Sequence, residues 1–180
     1  MDPRHQRRIQ RYGWDRAADD YEQGWQAQLA PAHDVMLDML APRHGEHMLD
    51  VACGTGLVSL RLAAAVGAQG AVTGTDLSAR MVETAQQQAL AQGLAHARFE
   101  RADAEALPFP EASFDAAVCA LGLMYVPDPA RALREMRRVL KPGGRMAVAV
   151  WGERRRCGWA DIFPIVDARV VSEVLSLIHI

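Results

Sequence analysis

The chain has 180 residues, of which 50% are hydrophobic, and a formal net charge of -2. This length predicts one domain with a full core, and the small charge excludes a general attraction to nucleic acid or anionic membranes. The cysteines Cys53, Cys119 and Cys157 form no C-x-x-C pair, which disfavours a bound metal or a disulfide framework. Without a signal core or a run of 18 apolar residues, we expect a cytoplasmic protein that has no membrane span and no nucleic-acid partner.

Residues 1–42 predict a helical lid. Their basic start is expected to fray or to form a surface helix, and residues 14–29 carry apolar side chains at helical spacing. Pro31 predicts the first turn of a second helix. Tyr21 and Trp25 lie on the apolar face of the first helix, where they either pack in the core or cover a ligand.

Strands and helices alternate between residues 43 and 152. We predict one strand that starts at Leu49, four more at residues 71–75, 95–100, 114–120 and 145–151, and helices at 57–66, 79–91 and 129–140. Such alternation is typical of right-handed βαβ units and of a parallel sheet that helices cover on both faces. The predicted fold class is therefore α/β, with a Rossmann-like doubly wound sheet of five parallel strands.

The stretch LDVACGTG, from Leu49 to Gly56, begins as a strand and breaks into a glycine turn before the next helix. Gly54 and Gly56 have no Cβ, so the backbone can turn sharply and a ligand can lie against it. A helix N-terminus at the mouth of a parallel sheet presents free backbone N–H groups. Ser59 stands where a dinucleotide fingerprint has its third glycine, and a lone G-x-G is weak evidence.

Three acids, Asp50, Asp76 and Asp103, each stand at or just past the C-terminal end of a predicted strand. Ligands bind at that edge of an open α/β sheet. Asp76 follows the glycine turn by about 20 residues, where an acid can hold ribose hydroxyls, and its alternative role is a helix N-cap. Asp103 could accept a hydrogen bond from an exocyclic amine such as that of adenine, or it could serve only the backbone of its own loop.

The ordered motifs LDVACGTG, GTDLS, ADAEALPF, FDAAVCALGLMYVPDP and LREMRRVLKPGGRMAVAVW resemble class I S-adenosylmethionine-dependent methyltransferases. The similarity is greatest to the small-molecule branch that includes the ubiquinone/menaquinone C-methyltransferase type. The resemblance implies S-adenosylmethionine as cofactor and a small-molecule methyl acceptor. It also implies a cofactor site in three parts. The methionine part of the cofactor would contact Asp50, Ala52, Gly54, Gly56, Ala120 and Leu121. The ribose would bind Asp76 with Leu77, and the adenine would contact Leu77, Met81, Asp103 and Ala104.

Methyl transfer is an in-line displacement at an electrophilic methyl group, so positioning and exclusion of water can supply much of the catalysis. Many relatives carry a histidine after the fourth strand, but Met124 and Tyr125 stand here, so the resemblance assigns no base. Tyr21, Trp25 and Tyr125 are assigned to the acceptor side. An NAD(P)-dependent oxidoreductase is disfavoured by the missing third glycine and by the absence of a Tyr-x-x-x-Lys set, whereas a non-catalytic cofactor-binding fragment stays open.

Several polar or reactive side chains are interpreted as structural. They are His33 as a surface residue, Cys53 and Cys119 as small buried residues, Ser78 and Asp128 as helix N-caps, and Arg131, Arg134, Arg137 and Arg138 as a solvated helix face.

Residues 153–180 are expected to be a truncated C-terminal segment, with a helix at 160–174. The last six residues, LSLIHI, resemble translated adapter sequence and are predicted to be non-native. The antiparallel hairpin that usually completes this fold would then be missing. We expect an open sheet edge at the fifth strand and little turnover.

Overall fold

The computed structural model describes residues 2–153, and five parallel strands form the sheet of this region. The strands are β1 (His47–Val51), β2 (Ala71–Asp76), β3 (Ala97–Arg101), β4 (Phe114–Ala120) and β5 (Leu140–Ala149). Their order is β3-β2-β1-β4-β5, so the chain reverses its direction of travel between β1 and β4. A ligand crevice forms at such a switch point, and the predicted fold class is confirmed.

Helices cover both faces of the sheet. They are α1 (Pro3–Ala17), α2 (Tyr21–Leu40), α3 (Leu57–Val66), α4 (Ala79–Ala91) and α5 (Pro129–Val139), with a short 3-10 turn at Leu123–Tyr125. Successive residues of a strand point to opposite faces. Met48 of β1 therefore belongs to the core under α2 and α3, whereas Leu49 belongs to the core under α5. No helix within residues 2–153 combines the length and the hydropathy needed to cross a membrane.

The N-terminal helices differ from the prediction. The break between α1 and α2 falls just before Asp20, which is the N-cap of α2. Because α2 continues through Pro31, the predicted helix boundary at Pro31 is wrong. Proline removes one helical hydrogen bond. Burial of Leu29 on one side of it and Met36 on the other supports the helix across that gap. The interpretation of His33 as a surface residue is also wrong, because its side chain is only 5% exposed.

The strand β5 begins at Leu140, five residues earlier than predicted. Its register against β4 shifts between Phe114 and Ala116, and Gly143 has a φ of 78°. The glycines therefore form an irregularity that lets pairing with β4 resume at Arg145. Within residues 2–153 β5 is an edge strand. The predicted helix at 160–174, the last six residues and the hairpin lie outside the described residues.

One predicted surface arginine makes specific contacts. The Arg138 guanidinium donates to the carbonyl oxygens of Phe109 at 2.7 Å and Leu107 at 3.0 Å, and it pairs with Glu135 at 2.8 Å. Glu135 also accepts from the Leu107 N–H at 2.9 Å. Arg138 therefore attaches the loop before β4 to α5, and its assignment to a solvated face is wrong.

Candidate active site

The loop after β1 adopts the tight conformation that its glycines predict. Ala52, Gly54 and Gly56 have φ angles of 57°, 55° and 92°, all in the left-handed region that glycine adopts most easily. A Cβ on Gly56 would lie 3.1 Å from the Cβ of Ala85 in α4. The loop therefore turns sharply at the end of β1 and packs closely on α4 before α3 begins.

Asp50 is a buried carboxylate at the base of this loop, with 1% exposure. Its Oδ2 accepts a hydrogen bond of 2.6 Å from the Ser59 hydroxyl, so the serine in place of a third glycine anchors this acid. Oδ1 has no partner among residues 2–153. Burial raises the pKa of Asp50 to about 7, and the nearby negative charge of Asp76 contributes to this rise.

Asp76 ends β2 and connects two parts of the site. Its carboxylate accepts from the Gly54 N–H at 2.9 Å and from the Ser78 N–H at 2.8 Å. The N-cap of α4 is Ser78, whose hydroxyl accepts from the Met81 N–H, so the alternative of Asp76 as the cap is wrong. Burial raises the pKa of Asp76, and each of its oxygens keeps a second lone pair for a ligand.

A cleft of about 780 Å³, including its open mouth, lies at the C-terminal edge of the sheet. Predicted cofactor residues form much of its wall: Ala52, Gly54, Asp76, Leu77, Met81, Asp103, Ala104, Ala120 and Leu121. Asp50 instead lines an adjoining cavity of about 310 Å³, including open space, together with His33 and Thr55. Gly56 lines neither of these two spaces.

Asp103 binds a residue that sequence reasoning missed. Its Oδ2 lies 2.8 Å from Nε of Arg7, and its Oδ1 accepts from the Glu105 N–H at 2.9 Å. Glu105 also pairs with Arg7 and accepts from the Asp128 N–H at 2.8 Å. Arg7 therefore links α1 to the acidic loop after β3, and no local signal could show a partner almost 100 residues away.

Further contacts hold α1 across the cleft. Asp15 accepts a hydrogen bond of 2.6 Å from the Ser78 hydroxyl, and Asp19 pairs with Arg80 at 2.9 Å. These contacts join α1 and the turn after it to the first turn of α4, beside the acid at the end of β2. Four residues of the N-terminal helices, Arg7, Gln10, Trp14 and Tyr21, line the cleft.

Aromatic side chains line the space between this lid and the loop after β4. The ring of Trp14 meets Tyr21 at a centroid distance of 5.9 Å and Tyr125 at 5.3 Å, both edge to face. These rings and Trp25 border a cavity of about 1300 Å³, including open space, and the side chains of residues 2–153 that line it are all uncharged. Trp25 is 39% exposed. Burial raises the pKa of Tyr21 to about 12 and also raises that of Tyr125.

The loop after β4 makes a close contact that sequence reasoning missed. A Cβ on Gly122 would lie 2.4 Å from the Cβ of Ala52, so only glycine lets this loop approach the glycine turn. Leu121 beside it has a φ of 57°, an unfavourable conformation for a leucine. Two non-glycine residues with positive φ, Ala52 and Leu121, therefore stand on the wall of the cleft, where strain often accompanies function.

The described residues show what chemistry the site can support. Burial raises the pKa of Cys119 to about 12 and that of Cys53 well above its ordinary value, so neither thiol is activated as a nucleophile. No group of histidine, cysteine or acidic side chains in residues 2–153 could hold a metal ion. The free Oδ1 of Asp50 and the lone pairs of Asp76 instead fit a ligand with a cationic group and hydroxyls, as S-adenosylmethionine has.

Residues 48–144 match the family described as a methyltransferase domain. The chain is 36% identical over 127 residues to a demethylmenaquinone methyltransferase of Listeria monocytogenes, covering 71% of this chain and 54% of that protein. It is 43% identical over 113 residues to the ubiquinone/menaquinone biosynthesis C-methyltransferase UbiE of Hahella chejuensis, covering 62% and 45%. The crystal structure of the cyclase SpnF matches with a TM-score of 0.61 and 37% identity, covering 66% and 43%.

The chain thus spans about half the length of the curated relatives it matches. The family match covers more than half of the chain and contains the glycine turn, all three strand-end acids and the loop after β4. It confirms the class and the cofactor that the motifs predict. The chain belongs to the methyltransferase domain family, as a class I protein with S-adenosylmethionine as its cofactor.

Proposed function

We propose that this protein transfers a methyl group from S-adenosylmethionine to a small-molecule acceptor. The observation that carries the proposal is that the cleft and the aromatic cavity share part of their walls. The cleft with the predicted cofactor residues and the aromatic cavity are bordered by the same side chains, among them Trp14, Tyr21, Leu121 and Tyr125. Two ligands that fill these spaces would meet there, as a direct transfer needs.

Each cofactor residue has a proposed role. Asp76 accepts from the ribose hydroxyls, and Leu77 and Met81 pack on adenine, since all three line the cleft next to the glycine turn. Asp103 and Ala104 also line the cleft, and their proposed role is to recognise the edge of the adenine ring. The methionine part is assigned to Asp50, Ala52, Gly54, Gly56, Ala120 and Leu121.

When bound, S-adenosylmethionine supplies an electrophilic methyl carbon, and its sulfur keeps the electron pair of the broken bond and leaves as a neutral thioether. The residues of this chain orient the reactants and exclude water. Trp14, Tyr21 and Tyr125 line both spaces and pack edge to face against one another, and we propose that these rings limit the access of water to the reacting groups. Alignment and desolvation are the effects expected to lower the barrier.

The acceptor is proposed to be a neutral, flat molecule with aromatic character. Within the described part of the chain, only uncharged side chains line the aromatic cavity, and rings pack well edge to face against other rings. With a pKa near 12, Tyr21 stays protonated at neutral pH, so it can donate a hydrogen bond but cannot remove a proton. An electron-rich acceptor such as a quinol ring would supply the electron pair of the new bond to the methyl carbon, and the proton that it loses would pass to solvent, since Tyr21 cannot take it. The names of both curated relatives refer to quinones.

The test combines binding with transfer. Calorimetry should show binding of S-adenosylmethionine and of its demethylated product but not of NAD. Labelled methyl should then appear in one or more acceptors from a panel of quinols, phenols and charged metabolites, with preference for the neutral aromatic members. Glu100→Gln, an exposed change on β3, is the matched control and should leave both readouts unchanged. NAD binding without cofactor binding would refute the proposal.

A second candidate is a reaction that uses the cofactor without transferring its methyl group. The similarity to SpnF, whose name describes a cyclase, favours including it. The labelled methyl group distinguishes this reaction from methyl transfer. In a reaction without transfer, the substrate would be converted while all of the labelled methyl stayed on the cofactor.

We also infer a cytoplasmic location and no nucleic-acid partner. The small net charge and the acidic cleft support this inference. Cell fractionation and a salt-dependent nucleic-acid binding assay test it, and binding that weakens steeply with salt would contradict it.

A further inference from the structure

Gln10 is a half-buried amide of α1 that lines both the cleft and the aromatic cavity. Because these two spaces are proposed for the cofactor and the acceptor, a polar group that borders both lies close to the reacting atoms. Within residues 2–153, the side chains that line both spaces are those of Gln10, Trp14, Tyr21, Leu121 and Tyr125.

The orientation of the Gln10 amide is fixed by Trp14. The indole Nε1 of Trp14 donates a hydrogen bond of 3.0 Å to Oε1 of Gln10. An indole N–H can only donate, so the amide atom that it meets must be the oxygen. The two residues lie four positions apart on α1, on the same face of the helix. The amide therefore cannot exchange its oxygen and nitrogen without losing this hydrogen bond.

The other end of this amide is available to a ligand. Nε2 of Gln10 makes no hydrogen bond to any residue from 2 to 153. In the same part of the chain it is not one of the buried atoms that lack a partner, so it is accessible. The indole N–H of Trp14 is committed to Gln10, and the hydroxyl of Tyr125 is bonded to the side chain of Trp151. The N–H₂ group of Gln10 is thus a free donor where the two spaces meet.

A donor in these surroundings selects a particular kind of ligand. An amide N–H₂ group only donates, so it needs an acceptor atom such as a carbonyl or hydroxyl oxygen. The neighbouring rings of Trp14 and Tyr21 favour a flat ring as the rest of the ligand. A ring without the oxygen would cover the N–H₂ group and leave it without a partner, which costs binding free energy.

We propose that Gln10 is a specificity-determining residue, whose amide N–H₂ group donates to an oxygen substituent on the ring of the methyl acceptor. Trp14 is a positioning residue, because its indole N–H holds the Gln10 amide in the donating orientation. This inference rests on the proposed function for the roles of the two spaces, and it narrows the acceptor to an oxygenated ring. A hydrocarbon ring of the same shape is selected against.

The experiment measures by calorimetry the binding of two probes that differ only in one oxygen. The probes are α-tetralone, whose carbonyl oxygen can accept, and tetralin, which has a CH₂ group in its place. The readout is the ratio of the tetralin dissociation constant to the α-tetralone dissociation constant. In Gln10→Leu this ratio should fall about three- to tenfold, the loss of one hydrogen bond between neutral groups. Gln10→Glu at pH 8 keeps an acceptor for Trp14 but replaces the donor by an oxygen, so the ratio should fall at least as far.

Trp14→Phe tests the positioning role, because the amide could then turn either end to the ligand, and the ratio should fall about twofold. Gln28→Leu is the matched control: Gln28 is exposed on α2 and lines neither space, so the ratio should not change. An unchanged ratio in both Gln10 variants, or a wild-type protein that binds neither probe, would overturn the inference. The measurement needs no turnover, so if the ratio fell as expected while no acceptor received labelled methyl, the proposed function would fail and the donor role of Gln10 would stand.

Discussion

The substitution Asp76→Asn tests the centre of the site. The asparagine amide keeps one acceptor oxygen but offers an N–H₂ group where the second carboxylate oxygen stood. One of the two backbone donors that Asp76 now satisfies, Gly54 or Ser78, loses its acceptor. Alanine would remove both acceptors and release the glycine turn, so asparagine is the cleaner change.

The magnitude follows from the charge of the acceptor. A hydrogen bond to a charged group contributes about 1.5–3 kcal/mol and a neutral one about 0.5–1.5 kcal/mol. With two ribose hydroxyls, the loss of charge should cost about 2–3 kcal/mol of binding free energy, or roughly 30- to 150-fold in affinity. The free energy of unfolding should fall less, because the raised pKa of Asp76 shows that its buried charge is itself costly.

The assay is calorimetry with S-adenosylhomocysteine and with its 2′-deoxy analogue. In the wild-type protein the missing hydroxyl should cost about tenfold in affinity, and in Asp76→Asn this difference should shrink. Asp115→Asn is the control, because Asp115 also accepts from a backbone N–H, that of His47 at 2.9 Å, but lies at the start of β4, away from the cleft. It should lower stability without changing affinity.

Two results would refute the reasoning. One is an affinity loss of less than about tenfold in Asp76→Asn, a change of about 1.4 kcal/mol. The other is an unchanged difference between the two ligands. Either would leave Asp76 as a residue that only holds the glycine turn and the start of α4 together.

Two further predictions concern the walls of the cleft. Gly122→Ala should lower the free energy of unfolding by about 1–3 kcal/mol, because the added Cβ would lie 2.4 Å from the Cβ of Ala52. Gly13→Ala is the control and should cause no such loss, because Gly13 has open space around it. Equal melting temperatures for the two variants would contradict this prediction. Ser59→Ala should raise the pKa of Asp50 further above about 7. The folded state holds this proton more tightly than the unfolded state, so stability falls as pH rises from about 4 through 7. Urea unfolding should therefore show a larger loss for Ser59→Ala at pH 9 than at pH 5, by about 1 kcal/mol, and a pH-independent loss would contradict it.

Local features of the chain could be predicted well. The glycine turn, the N-caps Ser78 and Asp128 and the five strands depend on backbone conformation and on the side-chain period of neighbouring residues. The strand-end position of Asp76 follows from those strands alone. Boundaries were less reliable where two local signals competed, as at Pro31, where burial of the flanking turns outweighs the lost hydrogen bond.

Partners across the chain could not be predicted. Arg7 reaches Asp103 because α1 crosses the cleft, and Arg138 reaches the Leu107 carbonyl because α5 packs beside that loop. Neither contact leaves a periodic pattern, since each joins residues whose distance in space depends on the packing of whole helices. A charged side chain in a sequence therefore looks solvated until the fold supplies its partner.

The sequence by itself determined the order of the strands along the chain, the sharp turn at Gly54 and the chemical class of the strand-end acids, because these depend on backbone sterics, residue period and side-chain type. Only the tertiary structure determined which of those groups are buried away from solvent. Burial leaves Asp50 with a free oxygen and a pKa near 7 and places His33 in the same cavity. Desolvation depends on every element that packs around a group, so the character of this site arises from the assembled fold.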